Sequence, residues 1–471
     1  MSKNVESGFV RIIDAMDLIN KRVNLIGLIT EIGIPKQTKG TDCCCTLKIV
    51  DESSPTSGIS VNFFAGNFEN LPHVASPGDI LQILRVTIKS YVLGVDAGIN
   101  AVFDKNYSSF GLYHASNNAP PYQVSSKFPT IMQGNSFTEG LTKWALSRPP
   151  ETDMAASGEC LSLKDIEEGR IKEGKQLNLI CKVLHMCEVK QGEWMLFVWD
   201  GTDAPPLSVH TKIDEEFENP LPLQLEPSPL SRNILCEFPT VGTILRMTSN
   251  HHQKLRLHSL KVIVDKWVQF KNINFEVRCG LWCGMLLPTS KFSYVSNEDD
   301  LVLQRKRKYE ERVKGKWKRM PLSCIPSPSH ITYTDHNNEP LVTLMDVLCH
   351  PEVIGKFKCV VRVVATMPGH PRDFRAPCGT YRLRLTLEDP TARIHAYLYA
   401  EDGEKFFGGY PSIDTMIKMH KILLGVEETD NEKPRNPPWV QLCLNSYYID
   451  ENDVWVSRRY RIFDTKFRVT L

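Results

Sequence analysis

The chain has 471 residues, enough for about three domains of roughly 150 residues each. Its 42% of hydrophobic and 24% of charged residues exclude wholesale disorder. The 56 Lys and Arg residues almost balance the 55 Asp and Glu residues, which argues against a protein that holds nucleic acid mainly through phosphate charge. The N-terminus lacks a secretory pattern, and no apolar run reaches the roughly 18 residues of a membrane span. These features predict a soluble intracellular protein without membrane contacts.

The segment 39–91 predicts the first folding unit. Leu47 and Ile49 alternate along a strand that ends at a D-x-S-S-P turn, and a second strand runs to Phe64. Apolar residues after Gly66 take helical spacing, and GDILQILRVTIK restores a long strand. Two strands, a short helix and a longer strand are the layout of an oligonucleotide-binding (OB) barrel. Because bases can stack on rings and phosphates can meet basic groups in the groove of such a barrel, this unit predicts single-stranded nucleic-acid binding.

The same unit recurs twice more along the chain. A strand, an acidic turn with proline and a second strand are repeated as LKIVD…GISVNFF, LFVWDGTDAPPLSVH and LRLTLEDPTARIHAYLY. Each copy has an opening strand, which reads VNLIGLITE, LNLICKVLH and FKCVVRVVA in turn. The sequence therefore predicts a mainly β protein of three consecutive OB-fold barrels with short helices and linkers.

Composition sets the predicted domain boundaries. The first OB-fold covers 8–146, the second 158–292 and the third 341–471, and a basic linker occupies 293–340. The second copy has a long connection at 218–233 in place of the short helix. We expect the first barrel to bind DNA and the third, with its strongly apolar strands, to dock protein.

The only dense basic run, QRKRKYEERVKGKWKR at 304–319, lies in the predicted linker. It is typical of a solvated linker helix, but also of a nuclear-import signal or a nucleic-acid patch. Both interpretations remain open from the sequence.

Motifs of catalysis and metal binding are missing from the sequence. It contains no phosphate loop, dinucleotide fingerprint, zinc-protease helix or nucleophile elbow, so we do not expect an enzyme or a cofactor. It also has no C-x-x-C pair, and neither Cys279 and Cys283 nor the run 43–45 has a partner at ligand spacing. We therefore expect no structural zinc and predominantly buried, reduced thiols.

Several polar and aromatic residues are candidates for contacts with single-stranded DNA. Alternation sends Phe63 and Phe64 to opposite faces of a strand, so one lies in the core and the other in the groove or on the surface. Tyr91 closes the long strand at the rim, where it either stacks on a base or caps the core. Asp42 lies in a K-G-T-D turn, where its carboxylate either stabilises the turn or accepts a hydrogen bond from a base. The full candidate set is Lys39, Thr41, Asp42, Phe64, Arg85, Lys89, Tyr91 and His251.

These residues resemble a known family. The segments KGTD (39–42), IVD (49–51), FAGNFENLP (64–72) and GDI (78–80), with Arg85 and Tyr91, are similar to the first OB domain of the protection-of-telomeres proteins. The resemblance continues through VWDGT (198–202) and Val241-Gly242. It ends with ARIHAYLY, DGEKFF, WVQLCLNSYYID and YRIFDT in the third copy, so nearly the whole chain is covered in the right order.

The resemblance implies binding to the G-rich single-stranded overhang at chromosome ends in the nucleus, and control of telomerase access. By this resemblance Phe64 and Tyr91 would stack on bases, and Thr41 and Asp42 would form hydrogen bonds with base edges. Lys39, Arg85 and Lys89 would hold the strand. The expected partners are telomeric DNA, the telomerase ribonucleoprotein and telomere-capping proteins.

Two departures from the family pattern bear on function. The segment RAPCGTYRLRL (375–385) keeps a single cysteine and lacks a resolvase-like insertion, which resembles the shorter plant-type form. In the second domain, Gln176 and Glu237 stand where the family has stacking aromatics. The sequence thus leaves open a telomeric single-strand binder, a telomerase-associated scaffold with weak DNA binding, and a general replication-type binder.

Overall fold

The structure, a computed structural model, describes residues 8–38, 40–75, 78–93, 96–114, 119–130, 139–147, 160–166, 177–190, 193–213, 218–249, 263–324, 328–336, 339–426 and 433–468. Within these ranges, no helix has the length and apolar character needed to cross a membrane.

Strands dominate the fold. The strands of the first region are β1 (Arg22–Gly33), β2 (Lys36–Gln37), β3 (Cys43–Asp51), β4 (Ser54–Ala65), β5 (Ile80–Leu93), β6 (Asp96–Val102), β7 (Ser109–Tyr113) and β8 (Gln123–Val124). Those of the second are β9 (Cys160–Leu161), β10 (Leu177–Lys190), β11 (Glu193–Trp199), β12 (Ile244–Ser249), β13 (Trp267–Arg278) and β14 (Leu281–Val295). Those of the third are β15 (Thr332–Thr334), β16 (Gly355–Met367), β17 (Arg382–Glu388), β18 (Arg393–Tyr399), β19 (Val440–Tyr448), β20 (Arg458–Phe463) and β21 (Thr465–Phe467).

The helices are short. The α-helices are α1 (Ile12–Ala15), α2 (Glu139–Ser147), α3 (Arg232–Glu237), α4 (Asp300–Lys314), α5 (Leu344–Cys349), α6 (Ala400–Phe407) and α7 (Ile413–Leu424). Single 3₁₀ turns lie at Phe68–Asn70, Leu163–Asp165, Leu322–Cys324 and Pro371–Asp373. The sequence predicted a helix after Gly66, and the 3₁₀ turn occupies that place.

Each region closes into a five-stranded barrel with the same strand order. In the first, β1 pairs with β3 and β5, β3 with β4, and β5 with β6, all antiparallel, and a parallel pairing of β4 with β6 closes the ring. The second barrel repeats this order as β10, β11, β12, β14 and β13. The third repeats it as β16, β17, β18, β20 and β19. The predicted mainly β architecture of three OB-fold barrels is confirmed.

The same carboxylate bonding pattern recurs in all three barrels. Asp51 ends β3 and accepts hydrogen bonds from the backbone N–H groups of Ile12, at 2.8 Å, and Ser53, at 2.9 Å. Asp200, after β11, accepts from the N–H of Leu163, at 2.8 Å, and of Thr202, at 2.9 Å. In each case one carboxyl group ties the turn between the second and third barrel strands to the helical turn that precedes the first strand.

Asp389 repeats the pattern in the third barrel. It accepts from the N–H of Leu344, at 2.7 Å, and from the N–H and Oγ1 of Thr391, at 2.8 and 2.6 Å. The N–H of Ala392 donates to the same carboxyl oxygen at 3.0 Å. One carboxylate thus accepts hydrogen bonds from the first N–H of α5 and from the N–H groups of the turn. Buried backbone N–H groups need such acceptors.

The first two barrels share strand pairing. The end of β1 pairs with β14, Ile32 opposite Phe292 and Gly33 opposite Lys291. Beside this pairing, Lys271 Nζ donates to Glu31 Oε1 at 2.7 Å. The sheet of the first barrel thus continues into that of the second.

The predicted linker 293–340 is structured in its described parts. β14 extends to Val295, and α4 packs on the second barrel, with Val302 buried among tryptophans of that barrel. Arg305 donates to the Ile180 carbonyl, and its Nη1 lies 3.7 Å from Asp200 Oδ2. Arg312 forms a two-bond pair with Asp203, at 2.9 and 3.2 Å. The basic run differs from a solvated linker because two of its cations are buried in these ion pairs.

We expect Asp389→Ala to lower the free energy of unfolding by about 2–4 kcal/mol, because it leaves several buried N–H groups without an acceptor. Urea and thermal unfolding of the full chain measure the effect. The control is Asp373→Ala, which removes an exposed carboxyl of the same barrel. Equal stability of the two variants would show that the repeated carboxylate does not hold the turn.

Candidate nucleic-acid interface

The core of the first barrel fixes the direction in which Phe64 points. Its neighbour Phe63 is 1% exposed and packs against Phe103 and Phe110, with ring centroids at 5.0 and 5.7 Å. Alternation therefore directs Phe64 outward, and its side chain is half-buried opposite Cys44 of β3.

Tyr91 lies on the outer face of β5 directly opposite Gly98 of β6. A Cβ atom at position 98 would lie 2.5 Å from the Tyr91 hydroxyl oxygen and 2.8 Å from a ring carbon. The ring therefore lies over the glycine backbone, and 41% of the residue is exposed. A ring held against the sheet on one side and open on the other is suited to stacking on a base.

A row of polar side chains crosses the outside of the first barrel. Lys89, Asn100, Ser60, Lys48 and Glu31 are successive register partners on β5, β6, β4, β3 and β1. At least one neighbour of each of the first four residues is fully buried in the barrel core, so alternation directs these four side chains outward; the buried neighbours are Ile88, Ala101, Ile59, Val61, Leu47 and Ile49. Lys89 Nζ donates to Asn20 Oδ1 at 2.9 Å. Phe64, Lys89 and Tyr91 all point outward, on β4 and β5, which flank β6. We call the outer surface of β4, β6 and β5 the first-barrel face.

The end of this row that meets the second barrel carries excess positive charge. Glu31 lies 2.7, 3.7 and 3.9 Å from the ammonium groups of Lys271, Lys291 and Lys48. Burial alone would raise the pKa of the Glu31 carboxyl, but these three lysines lower it on balance. One ionised carboxylate among three cations leaves a site that attracts phosphate.

Asp42 and Thr41 lie in the turn before β3, at the end of the barrel where Phe64 lies. The hairpin is closed by Thr38, whose N–H and Oγ1 both donate to the Asp42 carbonyl, at 2.8 and 2.7 Å. The Thr41 carbonyl accepts from Gln37 Nε2 at 2.9 Å. Both Asp42 carboxyl oxygens accept from Lys105 Nζ at 2.9 Å, so a base N–H that bonds to this aspartate would have to displace the lysine.

Lys105 and Lys127 are two cations that the sequence analysis missed. Both line a cleft of about 320 Å³ together with Phe64 and Gln123. Lys127 Nζ donates to the Asn106 carbonyl at 2.7 Å. Neither lysine lies in a recognisable motif. The adjacency of Lys105 to Asp42 depends on the parallel closure of the barrel, which only the folded chain reveals.

Arg85 is placed by an irregularity in β5. Its φ of 58° lies in the left-handed region, its N–H donates to Asn24 Oδ1 at 2.9 Å, and its carbonyl accepts from Ser108 Oγ at 2.8 Å. The side chain is exposed at this bulge. Lys39 and His251 lie outside the described residues.

The second barrel lacks an open face at the corresponding strands. Met195, Phe197 and Ile244, on the outside of β11 and β12, form a buried cluster with Phe238 after α3 and Met345 of α5. Phe197 and Phe238 pack with ring centroids 5.8 Å apart. The connection 218–233, predicted without a helix, leads into α3, which helps to cover this face. The chain itself thus occupies the surface where an OB barrel takes a ligand.

The cysteines of the described residues form neither disulfides nor a metal site. The fourteen cysteines are all free, and burial raises the pKa of the Cys45 thiol to about 12. In the ranges given above, no group of three or more histidine, cysteine or acidic side chains could hold a metal ion.

Two family models match parts of the chain. Residues 3–154 match "Telomeric single stranded DNA binding POT1/CDC13", and residues 327–453 match "POT1A-like, OB fold domain". The first match covers the barrel that carries Phe64 and Tyr91, and the second covers most of the third barrel.

Individual proteins match over nearly the full length. Protection of telomeres protein 1b of Arabidopsis thaliana is 39% identical over 461 residues, which are 97% of this chain and 97% of that protein. Protection of telomeres protein 1a of the same plant is 35% identical over 485 residues, 99% of each chain. The crystal structure of fission yeast Pot1 with single-stranded DNA covers 65% of this chain and 96% of that chain at 18% identity, but its TM-score of 0.25 is too low to support an argument.

The resemblance read from the sequence is thereby confirmed, from the KGTD turn of the first barrel to the last strands of the third. The chain belongs to the protection-of-telomeres family.

Proposed function

We propose that the chain binds G-rich single-stranded telomeric DNA through the first-barrel face and protects chromosome ends in the nucleus. The observation that carries the proposal is the pairing of Tyr91 with Gly98, which leaves one face of an aromatic ring open on a strand surface. Phe64 and Lys89 on the same face, and the match of residues 3–154 to a telomeric DNA-binding family, support it.

In this proposal each side chain has a defined role. Bases stack on Tyr91 and Phe64, and phosphates meet Lys89 and the cations beside Glu31. Lys105 leaves Asp42 when the strand binds, so that the carboxylate accepts from a base N–H and the lysine meets phosphate. Thr41 and Arg85 remain predicted contacts, and so do Lys39 and His251, which lie outside the described residues.

The control of telomerase access would follow from occupancy of the same DNA. A strand stacked on the first-barrel face is not free to pair with an RNA template, so the bound protein would limit extension. Telomerase ribonucleoprotein and capping proteins are then partners at the same DNA end.

A second candidate is a telomerase-associated scaffold with weak DNA binding. The ion pair of Asp42 with Lys105 and the covered face of the second barrel favour this alternative, as does the formal net charge of +1. A mobility-shift assay with G-rich telomeric repeat against a scrambled single strand separates the two. Weak binding of both strands favours the scaffold, and tight binding of both would favour a general single-strand binder.

We expect Tyr91→Ala and Phe64→Ala each to weaken binding of a G-rich single strand by about ten-fold or more, because stacking contributes roughly 1–3 kcal/mol per base. Gly98→Val should act similarly, since its Cβ would displace the Tyr91 ring. Fluorescence anisotropy with the full-length chain measures the affinities.

The control for these variants is Tyr410→Ala, which removes a tyrosine of the third barrel that is 57% exposed. If the three first-barrel variants bind as tightly as this control while remaining folded, the first-barrel face is not the DNA site.

We also propose that α4 carries a nuclear-import signal on its exposed side. Replacing Lys306, Arg307 and Lys308 with alanine in a fluorescent fusion should shift the protein toward the cytoplasm without lowering its melting temperature, because these side chains are not buried. Arg305→Ala should instead lower the melting temperature, because it breaks the buried contacts with the second barrel. Unchanged nuclear enrichment of the triple variant would contradict the import role.

A further inference from the structure

A second row of outward side chains crosses the third barrel. Lys356, Asn445, Arg461, Tyr397 and Arg384 are successive register partners on β16, β19, β20, β18 and β17. Their neighbours along the strands, such as those of Tyr397 and Arg384, are buried in the barrel core, so alternation directs the row outward.

Further arginines and tyrosines flank this row. Arg382 is opposite Tyr399, which is 48% exposed, and Arg459 is opposite Tyr447. The Arg461 guanidinium lies 5.9 Å from the Tyr399 ring centroid. We call the set Arg382, Arg384, Tyr397, Tyr399, Arg459 and Arg461 the arginine–tyrosine face. It lies on β17, β18 and the neighbouring β20. β17 and β18 are the second and third strands of the barrel, where OB folds bind oligonucleotides and oligosaccharides.

The charge of this face is largely unneutralised. Arg461 pairs with Asp402, whereas Arg382, Arg384 and Arg459 form no ion pair with any residue in the described part of the chain. Arg384 Nε is buried, and none of the described residues accepts a hydrogen bond from it. Burial, together with the positive charge of Arg384, lowers the pKa of His395 to about 4. Three cations are thus left to attract an anion.

The face continues into a cleft between the second and third barrels. The cleft has a volume of about 510 Å³, and Tyr397 and Arg459 line it from the third barrel while Leu281 and Trp282 line it from the second. This volume lies within the roughly 300–1,000 Å³ of small-ligand pockets. Its lining also includes the ion pairs of Glu226 with Arg246 and of Glu388 with Arg393. The apolar part of the cleft beside Tyr397 can receive an unstacked base.

We propose that the arginine–tyrosine face and this cleft form a second site for a single-stranded oligonucleotide. Bases stack on Tyr397 and Tyr399, which lie two residues apart on one strand, and phosphates meet Arg382, Arg384 and Arg459. An acidic peptide would satisfy the arginines but not use the tyrosine rings on the same strand, so the combination favours nucleic acid. DNA and RNA share this chemistry. The site goes beyond the proposed function, which uses the first barrel.

The test is a titration of the full-length chain with short fluorescent single strands of about 8 nucleotides, which fit the roughly 4–16 nucleotides of one OB barrel. DNA and RNA of one sequence are used in parallel. We expect two bound strands per protein chain with DNA, with RNA or with both. Arg382→Ser combined with Tyr399→Ala should weaken the second event by about ten-fold or more and leave the first unchanged.

The control variant is Arg372→Ser combined with Tyr333→Ala, an exposed arginine and tyrosine that lie outside the row. It should bind as the wild type does. The tighter of the DNA and RNA arms identifies the natural strand. Salt dependence of the second event should also fall in the test variant, because phosphate contacts release counterions.

Photo-crosslinking locates the two events independently. In a Tyr91→Ala chain, a strand with photoreactive thymine or uracil should crosslink to peptides that contain Tyr397 or Tyr399. Crosslinks confined to the first barrel, a single bound strand in both arms, or competition by polyglutamate with no dependence on Tyr399 would each overturn the proposal. Unchanged binding by the Tyr91 variant would count against the first-barrel site alone.

Discussion

One buried carboxylate in each barrel sets the geometry on which the rest depends. Asp51, Asp200 and Asp389 each fasten the turn between the second and third strands to the helical turn before the first strand. Because unpaired buried N–H groups cost roughly 1–3 kcal/mol each, this arrangement fixes one end of the barrel and the turn that joins its second and third strands. The outer face of those strands then becomes the available binding surface, and the same surface recurs three times.

The three copies differ in what lies on that surface. In the first barrel it carries the half-buried Phe64, and the more exposed Tyr91 lies nearby on β5. In the second it is covered by α3 and by Met345 of the third barrel, so the apolar residues there stabilise the fold and not a ligand. In the third it carries arginines and tyrosines. The three barrels thus share one fold but differ in this surface. It is covered in the second barrel and accessible in the first and third, and the second barrel contacts both of the others.

The sequence predicts the repeated strands and turns because residues close together in the chain determine them. Alternation along β4 predicts that Phe63 and Phe64 point to opposite faces, and the structure places Phe63 in the core. The acidic turns mark the second and third strands of every copy. Other features depend on contacts that are remote in sequence. Lys105 reaches Asp42 only through the closure of the barrel, and Arg312 meets Asp203 across 109 residues. For this reason a run that is basic in the sequence becomes a helix with two buried cations. The covering of the second barrel could not be predicted either, since it requires the position of α5.

We propose above all that single-stranded DNA binds the first-barrel face, whereas other parts of the chain cover the outer face of β11 and β12 in the second barrel. Hydroxyl-radical footprinting of the full-length protein, with and without saturating G-rich single strand, tests it most directly because oxidation reports side-chain exposure. We expect the strand to lower oxidation of Tyr91 and Phe64, whereas Met195 and Phe197 stay protected in both conditions. Unchanged oxidation of Tyr91 in the saturated complex, or strong oxidation of Met195 in the free protein, would contradict it.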